Sequence, residues 1–258
     1  MTTPQSNVLK IDGLDKRFGG LHAIRNLSIT VARGLITAFI GPNGAGKTTL
    51  FNLVTGAIAS DSGTVVYEGA SIAGLRPDQV AQAGIGRTYQ DLKLFTNLTC
   101  EENVLMAFPA QPGESVAATL FAWRKVQRRE SEIMERTAEI LVFVGLADKR
   151  HALARDLGYA QAKMLALARV LALDTKLLLL DEPCSGLDRA ALDKVRSVMK
   201  ELIAQGRTIC LIEHNMALVR EVADFGIFLE HGQLIASGDV ATLMAGDGIR
   251  QRYLGLGT

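Results

Sequence analysis

The sequence predicts an α/β fold with a mainly parallel sheet, an antiparallel β subdomain at the N-terminus and a separate α-helical subdomain. Predominantly apolar segments at 177–180 and 207–212 are typical of strands buried on both faces of a parallel sheet. A glycine-rich loop at 41–49 joins another such strand to a segment with helical spacing. Alternating apolar and polar residues at 8–14 and 27–32 indicate half-buried strands of a second sheet.

Length and composition exclude several classes of protein. With 258 residues, 48% of them apolar, the chain can bury a full core, as one large domain or as a core with an added lobe. A net charge of +1 shows no bias toward nucleic acid. Residues 1–7 lack the pattern of a secretion signal, and charged residues interrupt the longest apolar stretch, 165–180, so no membrane span is predicted. Three separated cysteines, Cys100, Cys184 and Cys210, predict buried, reduced thiols of a cytoplasmic protein.

The N-terminal strands predict a small antiparallel sheet. A further strand predicted at 64–67 joins this sheet and is followed by a turn at Glu68-Gly69. Between the first two strands, Phe18 precedes a glycine turn at 19–20. An aromatic ring at such a turn can lie flat on an adenine ring, although a role in the core is at least as common for a phenylalanine. Phe18 is therefore a candidate adenine-binding residue.

The glycine loop, residues 41–49, follows the apolar strand 35–40 and leads into the helical segment 48–54. Its glycines let successive N–H groups point inward at the positive end of a helix, which makes a nest for phosphate oxygens. Lys47 would reach the β- and γ-phosphates, and the Thr48 hydroxyl would hold Mg²⁺. The strand-to-helix context favours this interpretation over a turn with a surface lysine. The candidate nucleotide-binding residues of the loop are Gly41, Pro42, Asn43, Gly44, Ala45, Gly46, Lys47, Thr48 and Thr49.

The segment 85–89 predicts a strand that ends at Gln90, and a loop at 91–99 follows it. A glutamine at that place could bind Mg²⁺ through its side-chain carbonyl. A capping or solvated glutamine is the alternative, and the spacing does not decide between them.

The middle of the chain predicts a helical subdomain. Prolines and a glycine at 107–116 predict a loop, and 116–144 predicts a helix whose charged middle is typical of a solvated face. Small and polar residues at 156–161 precede a strongly helical run at 162–173. This helix N-terminus is a second place where an anion could dock.

Two predicted strands end in polar residues that suit phosphate chemistry. Because ligands gather at the carboxyl ends of strands in open parallel sheets, we expect these residues beside the glycine loop. Asp181 would hold Mg²⁺, usually through water, and Glu182 would orient or deprotonate an attacking water. An N-cap and a surface group are the alternative for two adjacent acids. His214 could donate to a γ-phosphate and report its presence. Structural or surface roles are expected for His22, His151 and His231.

The remaining segments complete the predicted α/β order. An amphipathic helix is predicted at 190–204, and 225–230 with 233–236 predict a hairpin around the two-residue turn His231-Gly232. The tail to Thr258 predicts short helices.

Taken together and in order, these motifs resemble an ATP-binding-cassette ATPase subunit, over nearly the whole chain. The matching elements are Phe18, the Walker A loop 41–49, Gln90 of the Q-loop, the signature 157–161, Walker B 177–181 with Glu182, the D-loop 185–188 and His214. Finer detail is similar to the subfamily for uptake of branched-chain amino acids, amides and urea. The segments that carry this similarity are 84–90, 107–135, 211–216 and 253–255.

The resemblance implies a P-loop ATPase core at 1–87 and 161–258, with a helical signature subdomain at 88–160. It implies ATP and Mg²⁺ as cofactors, with Lys47, Glu182 and His214 as catalytic residues. The metal would be held by Thr48, Gln90 and Asp181. Two subunits would sandwich ATP, so each chain would also offer its partner's nucleotide Gly158, Tyr159, Ala160, Gln161 and Asp188.

The resemblance also implies partners and a location. A second ATPase subunit and paired transmembrane permease subunits are expected, the latter contacted through the 88–160 lobe, especially the loop 90–99. A solute-binding protein would act indirectly, nucleic acid would not be a partner, and the chain would lie peripherally on the cytoplasmic face of the inner membrane. The expected function is to drive import of branched-chain or other hydrophobic amino acids, or of related small solutes.

The signature departs from the family patterns Leu-Ser-Gly-Gly-Gln and Leu-Ser-Tyr-Gly-Gln, because Gly158 replaces the serine and Ala160 replaces the second glycine. Gly158 lacks a hydroxyl that would donate to the γ-phosphate across the dimer, a bond worth about 1.5–3 kcal/mol. A homodimer would then hydrolyse ATP slowly at both sites. A heterodimer, which the retention of Lys47, Glu182 and His214 favours, would have one competent site.

Two other functions stay open from the sequence. One is a nucleotide-dependent clamp or regulatory binding module with weak ATPase activity. The other is a DNA-repair or translation cassette, which usually carries a coiled-coil insertion or a second cassette, and neither is expected here.

Overall fold

The computed structural model describes residues 6–109 and 123–245. Its strands are β1 (Asn7–Phe18), β2 (Leu21–Ala32), β3 (Ile36–Ile40), β4 (Ser62–Tyr67), β5 (Ala70–Ser71), β6 (Ile85–Arg87), β7 (Leu177–Asp181), β8 (Thr208–Ile212), β9 (Phe225–Glu230) and β10 (Gln233–Asp239). Its helices are α1 (Lys47–Val54), α2 (Pro77–Ala83), α3 (Cys100–Leu105), α4 (Trp123–Val144), α5 (Tyr159–Ala172), α6 (Arg189–Ala204), α7 (Met216–Val222) and α8 (Val240–Ala245).

The chain divides into two compact units, and each is described by itself. The sheet unit consists of the described residues within Met1–Arg87, Lys176–Ser185 and Met199–Thr258. The helical unit consists of the described residues within Thr88–Thr175 and Gly186–Val198.

The sheet unit contains both predicted sheets, which confirms the predicted α/β class. The antiparallel sheet has the order β2-β1-β4-β5. The second sheet has the order β10-β9-β3-β8-β7-β6, in which only the β9–β10 hairpin is antiparallel. Every residue of β3, β7 and β8 is buried, as their apolar composition predicts.

One hydrophobic core joins the two sheets and fixes the start of α1. The ring of Phe39, in β3, meets the ring of Phe51, in α1, edge to face, with 5.6 Å between centroids. Both rings are buried in the cluster that also contains Leu9 and Ile11 of β1. Burying an aromatic or aliphatic side chain of this size contributes about 1.5–3 kcal/mol. The glycine loop therefore runs between two anchored elements, β3 and α1.

In the helical unit, α3 begins with a well-formed cap. The Thr99 hydroxyl accepts from the N–H of Glu102, whose carboxylate accepts from the N–H of Thr99. The fully buried Asn103 donates through its amide to the carbonyls of Phe95 and Leu98, and accepts from the N–H of Phe95. These bonds attach the loop before α3 to the helix itself.

Several predicted element boundaries are wrong. β1 runs to Phe18 rather than Leu14, β2 begins at Leu21 rather than Leu27, and β10 runs to Asp239 rather than Ala236. Two further differences concern candidate site residues. The strand predicted at 85–89 ends at Arg87, three residues before Gln90, because β6 is an edge strand whose last pairing joins Arg87 to Leu179. The helix predicted at 162–173 begins at Tyr159, because Gly158 has the extended backbone of an N-cap. The predicted loop beyond 109, the helix over 116–122, the segment 253–255 and the tail beyond 245 lie outside the described residues.

No helix within residues 6–109 and 123–245 combines the length and the apolar character that a bilayer span requires.

Cys100, Cys184 and Cys210 are free thiols in buried positions, which confirms their predicted burial.

Candidate active site

Three neighbouring strands bring the candidate residues to one edge of the larger sheet. β3, β8 and β7 lie side by side and run parallel, so their carboxyl ends fall together. β3 leads into the glycine loop, β7 ends at Asp181, and β8 is followed by Glu213 and His214. Within the sheet unit, the carboxyl ends of these three strands therefore lie at the same edge of the sheet, as the sequence predicts.

The glycine loop is packed closely against the β9–β10 hairpin. A Cβ atom on Gly41, whose φ is 153°, would lie 2.0 Å from the carbonyl oxygen of Leu229, so no other residue fits there. The Gly232 N–H, in the hairpin turn, donates to the carbonyl of Ala45 at 3.0 Å. The N-cap of α1 is Gly46, so no side chain covers the helix start. The loop thus presents backbone at the positive end of a helix.

Lys47 directs its ammonium group into the glycine loop. The residue is 6% exposed, and its Nζ donates to the carbonyls of Gly41 at 2.6 Å and Pro42 at 3.0 Å. Burial lowers the pKa of Lys47, and the nearby carboxylates of Glu182 and Asp181 oppose that effect in part. A buried cation within a curl of backbone forms a positive centre that suits phosphate oxygens.

Asp181 is held by an arginine that the sequence analysis did not identify as functional. Arg87 Nη2 donates to Asp181 Oδ2 at 3.0 Å, and Arg87 Nη1 donates to Asn52 Oδ1, on α1, at 2.6 Å. The guanidinium also lies 5.6 Å from the ring centroid of Phe51. Burial raises the pKa of Asp181, and Arg87 opposes the shift. The sequence held one signal for this role: Arg87 is a charged residue within a predicted strand, and a charge that a sheet buries requires a partner.

Glu182 and His214 are in direct contact. Glu182 Oε1 lies 2.8 Å from His214 Nε2, and the two side chains are 19% and 41% exposed, so a ligand can reach both. Glu182 has φ of 49°, a left-handed conformation that costs a non-glycine residue about 1–3 kcal/mol and occurs often at functional sites. Backbone strain therefore marks Glu182 as a candidate functional residue, independently of its sequence context.

Glu213 is a second residue whose role the sequence analysis missed. Its carboxylate is buried and accepts from the N–H of Cys184 at 2.8 Å and from the N–H of His214 at 3.3 Å. The next residue, Asn215, caps α7 by accepting from the N–H of Leu218. The polar residues after β8 thus have different structural roles, which their spacing alone does not reveal.

Phe18 lies at the end of β1, opposite Leu21 in the hairpin. The residue is 47% exposed, and the Lys16 Nζ lies 5.4 Å from the ring centroid. The exposed ring suits stacking on a flat base better than it suits a core residue.

The other predicted site residues lie in the helical unit. Gln90 follows β6 in the chain, and Gly158 is the N-cap of α5. Asp188 precedes α6 and accepts from the N–H of Ala191 at 2.8 Å. The first turn of α5 consists of Tyr159, Ala160 and Gln161.

The chemistry of the sheet-unit residues fits a nucleoside triphosphate and Mg²⁺. The glycine loop and Lys47 supply the donors that phosphate oxygens need. Thr48, exposed in the first turn of α1, and Asp181 offer the oxygen ligands that Mg²⁺ prefers.

Comparisons with known proteins point in the same direction. Residues 24–185 match the family described as ABC transporter. The chain is 34% identical over 249 residues to BraF, a high-affinity branched-chain amino acid transport ATP-binding protein of Pseudomonas aeruginosa, covering 96% of this chain and 98% of the relative. It is 34% identical over 253 residues to the protein LivG of Escherichia coli K12, which has the same description, covering 96% and 98%. Among solved structures, it is similar to an ATP-binding cassette of an ABC transporter in its ADP conformation, with TM-score 0.83 and 31% identity over 97% of this chain and 99% of the other.

Proposed function

The chain belongs to the ABC transporter family, and on that premise we propose that it is the ATP-hydrolysing subunit of a membrane importer. One observation carries the proposal: Glu182 contacts His214 at 2.8 Å, at the carboxyl ends of strands that lie beside the strand leading to Lys47. These groups come from three separate chain segments, and together they supply what phosphoryl transfer to water requires.

Each residue of this cluster has a chemical task. Lys47 and the glycine loop bind the β- and γ-phosphate oxygens. Glu182 orients the attacking water and accepts its proton, while the water oxygen bonds to the γ-phosphorus and the bond to the ADP oxygen breaks. His214 orients the Glu182 carboxylate and reaches the γ-phosphate. Charge neutralisation at the phosphates comes from Mg²⁺ when it is bound, and the sheet-unit residues that would hold it are Thr48 and Asp181.

The proposal extends to the assembly. ATP would lie between the glycine loop of one subunit and the Gly158–Gln161 signature of another. Because Gly158 has no hydroxyl, we propose that the second ATPase subunit is a different chain with a complete signature; a homodimer is the alternative. Equal ATPase rates for the chain alone and for the chain with that partner would argue against the heterodimer. The helical unit would contact permease subunits on the cytoplasmic face of the membrane, through the loop 90–99.

The proposed solutes are branched-chain or other hydrophobic amino acids. Support comes from the relatives in Pseudomonas aeruginosa and Escherichia coli, which are both named as branched-chain amino acid transport proteins. Those names favour transport over a nucleotide-dependent regulatory module with weak ATPase activity.

A substitution of the proposed base tests the function. We expect Glu182→Gln to lower the rate of phosphate release by about 10²- to 10⁴-fold, the usual contribution of a general base, with ATP affinity retained. Glu201→Gln, on the exposed part of α6, is the matched control and should leave the rate unchanged. The rates of phosphate release by wild type and both variants test whether the chain hydrolyses ATP as proposed. Uptake of labelled leucine into vesicles that contain the permease subunits tests whether hydrolysis drives transport. Undiminished hydrolysis by Glu182→Gln would contradict the assignment.

A further inference from the structure

Glu213 connects the two chain segments that carry the candidate catalytic pair. It is 3% exposed, follows the last residue of β8 and precedes His214. One carboxylate oxygen accepts from the N–H of Cys184, two residues after Glu182, at 2.8 Å. The other accepts from the N–H of His214 at 3.3 Å. A single buried carboxylate therefore spans both segments.

The segment 182–185 forms a turn that needs such support. The N–H of Ser185 donates to the carbonyl of Glu182 at 3.3 Å, and the N–H of Glu182 donates to the carbonyl of Ile212 at 3.0 Å. Between these two bonds, the N–H of Cys184 points to Glu213. Glu182 is held at a φ of 49°, and a strained residue keeps such a conformation only when its surroundings determine it strongly.

We propose that Glu213 is a positioning residue for ATP hydrolysis. It holds the turn 182–185 against the start of the His214 segment, so that the 2.8 Å contact between Glu182 and His214 is maintained during the reaction. The inference rests on the proposed ATPase function and adds to it a residue that acts through the pair. Burying a carboxylate is costly, and bonds to two backbone N–H groups, one on each segment, offset that cost at the place where alignment matters.

A double-mutant cycle tests the inference on the full chain. We expect Glu213→Ala to lower kcat by about 10- to 100-fold with nearly unchanged ATP affinity, because the pair acts in the transition state. Glu213→Gln should recover part of the rate, since its amide carbonyl can still accept from Cys184. In a His214→Ala background, Glu213→Ala should cause almost no further loss, because a residue that acts through the pair has little left to act on.

Thr208→Val is the matched control for removing a buried acceptor from the other end of β8. The Thr208 hydroxyl accepts from the N–H of Gly34 at 2.9 Å. Its substitution should leave kcat nearly unchanged, and any loss should multiply with that of His214→Ala.

Two outcomes would overturn the inference. One is a Glu213→Ala loss that multiplies fully with the His214→Ala loss, and the other is a loss of ATP affinity in parallel with rate. If Glu213→Ala does not fold, the same double-mutant cycle is measured with Glu213→Gln. Losses that multiply fully with that of His214→Ala, or a parallel loss of ATP affinity, would again overturn the inference. A wild-type chain without hydrolysis, with or without partner subunits, would contradict the proposed function; active wild type with multiplicative losses contradicts only the role of Glu213.

Discussion

Arg87 and Asp181, 94 residues apart in the chain, form a buried ion pair with 3.0 Å between Nη2 and Oδ2. Each side chain is only 4% exposed. Through Asn52, the same guanidinium reaches α1, so the pair joins the strand that carries Asp181 to the helix that follows the glycine loop.

The first prediction follows from this burial. Arg87→Met should lower the free energy of unfolding by about 3–5 kcal/mol, because it leaves Asp181 as a buried charge without its arginine. Urea denaturation measures the change. The control is Arg76→Met, which removes an exposed pair with Asp78 and should leave the free energy of unfolding nearly unchanged. Similar small losses for both variants would show that the buried pair contributes no more to stability than the exposed pair.

The second prediction compares two glycines of the loop. Gly44 and Gly46 have φ of 78° and 99°, so alanine is strained at both, by about 1–2 kcal/mol. A Cβ on Gly44 would meet nothing within 4 Å, whereas one on Gly46 would lie 2.7 Å from the carbonyl oxygen of Ala23. The free energy of unfolding of Gly46→Ala should therefore be lower than that of Gly44→Ala by about 1–3 kcal/mol. Chemical denaturation checks the order, and equal losses would show that the loop moves away from Ala23 without cost.

The third prediction concerns the signature. Gly158 has φ of −64° and ψ of 159°, which every residue adopts, and a Cβ there would meet only the Gln161 side chain, at 3.8 Å. Gly158→Ser combined with Ala160→Gly should fold normally. It should raise the ATPase rate of the chain alone by on the order of tenfold, the value of one added hydrogen bond to a charged group. Unchanged turnover would show that the altered signature does not limit hydrolysis.

The fourth prediction is a pH dependence. Burial raises the pKa of Tyr67 from its ordinary value of 10.0 to about 12, with Glu68 acting in the same direction and Arg33 against it. Between pH 10 and 12 the unfolded chain loses this proton first, so the free energy of unfolding should fall as pH rises through that range. Tyr67→Phe, which removes the hydroxyl that donates to the Gly84 carbonyl, should lack this part of the alkaline loss. Parallel stability curves for wild type and variant would contradict the shift.

The sequence predicted the strands that lead into Lys47, Asp181 and His214, because short, predominantly apolar segments beside turn residues are typical of buried strands. It placed the end of β6 two residues too late, since the end of an edge strand depends on where its single neighbour stops pairing. It placed the start of α5 three residues too late, because the cap at Gly158 depends on a backbone conformation that composition does not specify.

By itself the sequence determined the order of strand, loop and helix, and the chemical groups that stand at each strand end. Hydrophobic periodicity and glycine spacing are local properties, so they can be read along the chain. Only the tertiary structure decided that β3, β8 and β7 are neighbours, and hence that Glu182 contacts His214, that Arg87 holds Asp181 and that Glu213 accepts from Cys184. The physical reason is that strand order and register bring distant residues together, and no local pattern records which buried charge will meet which partner.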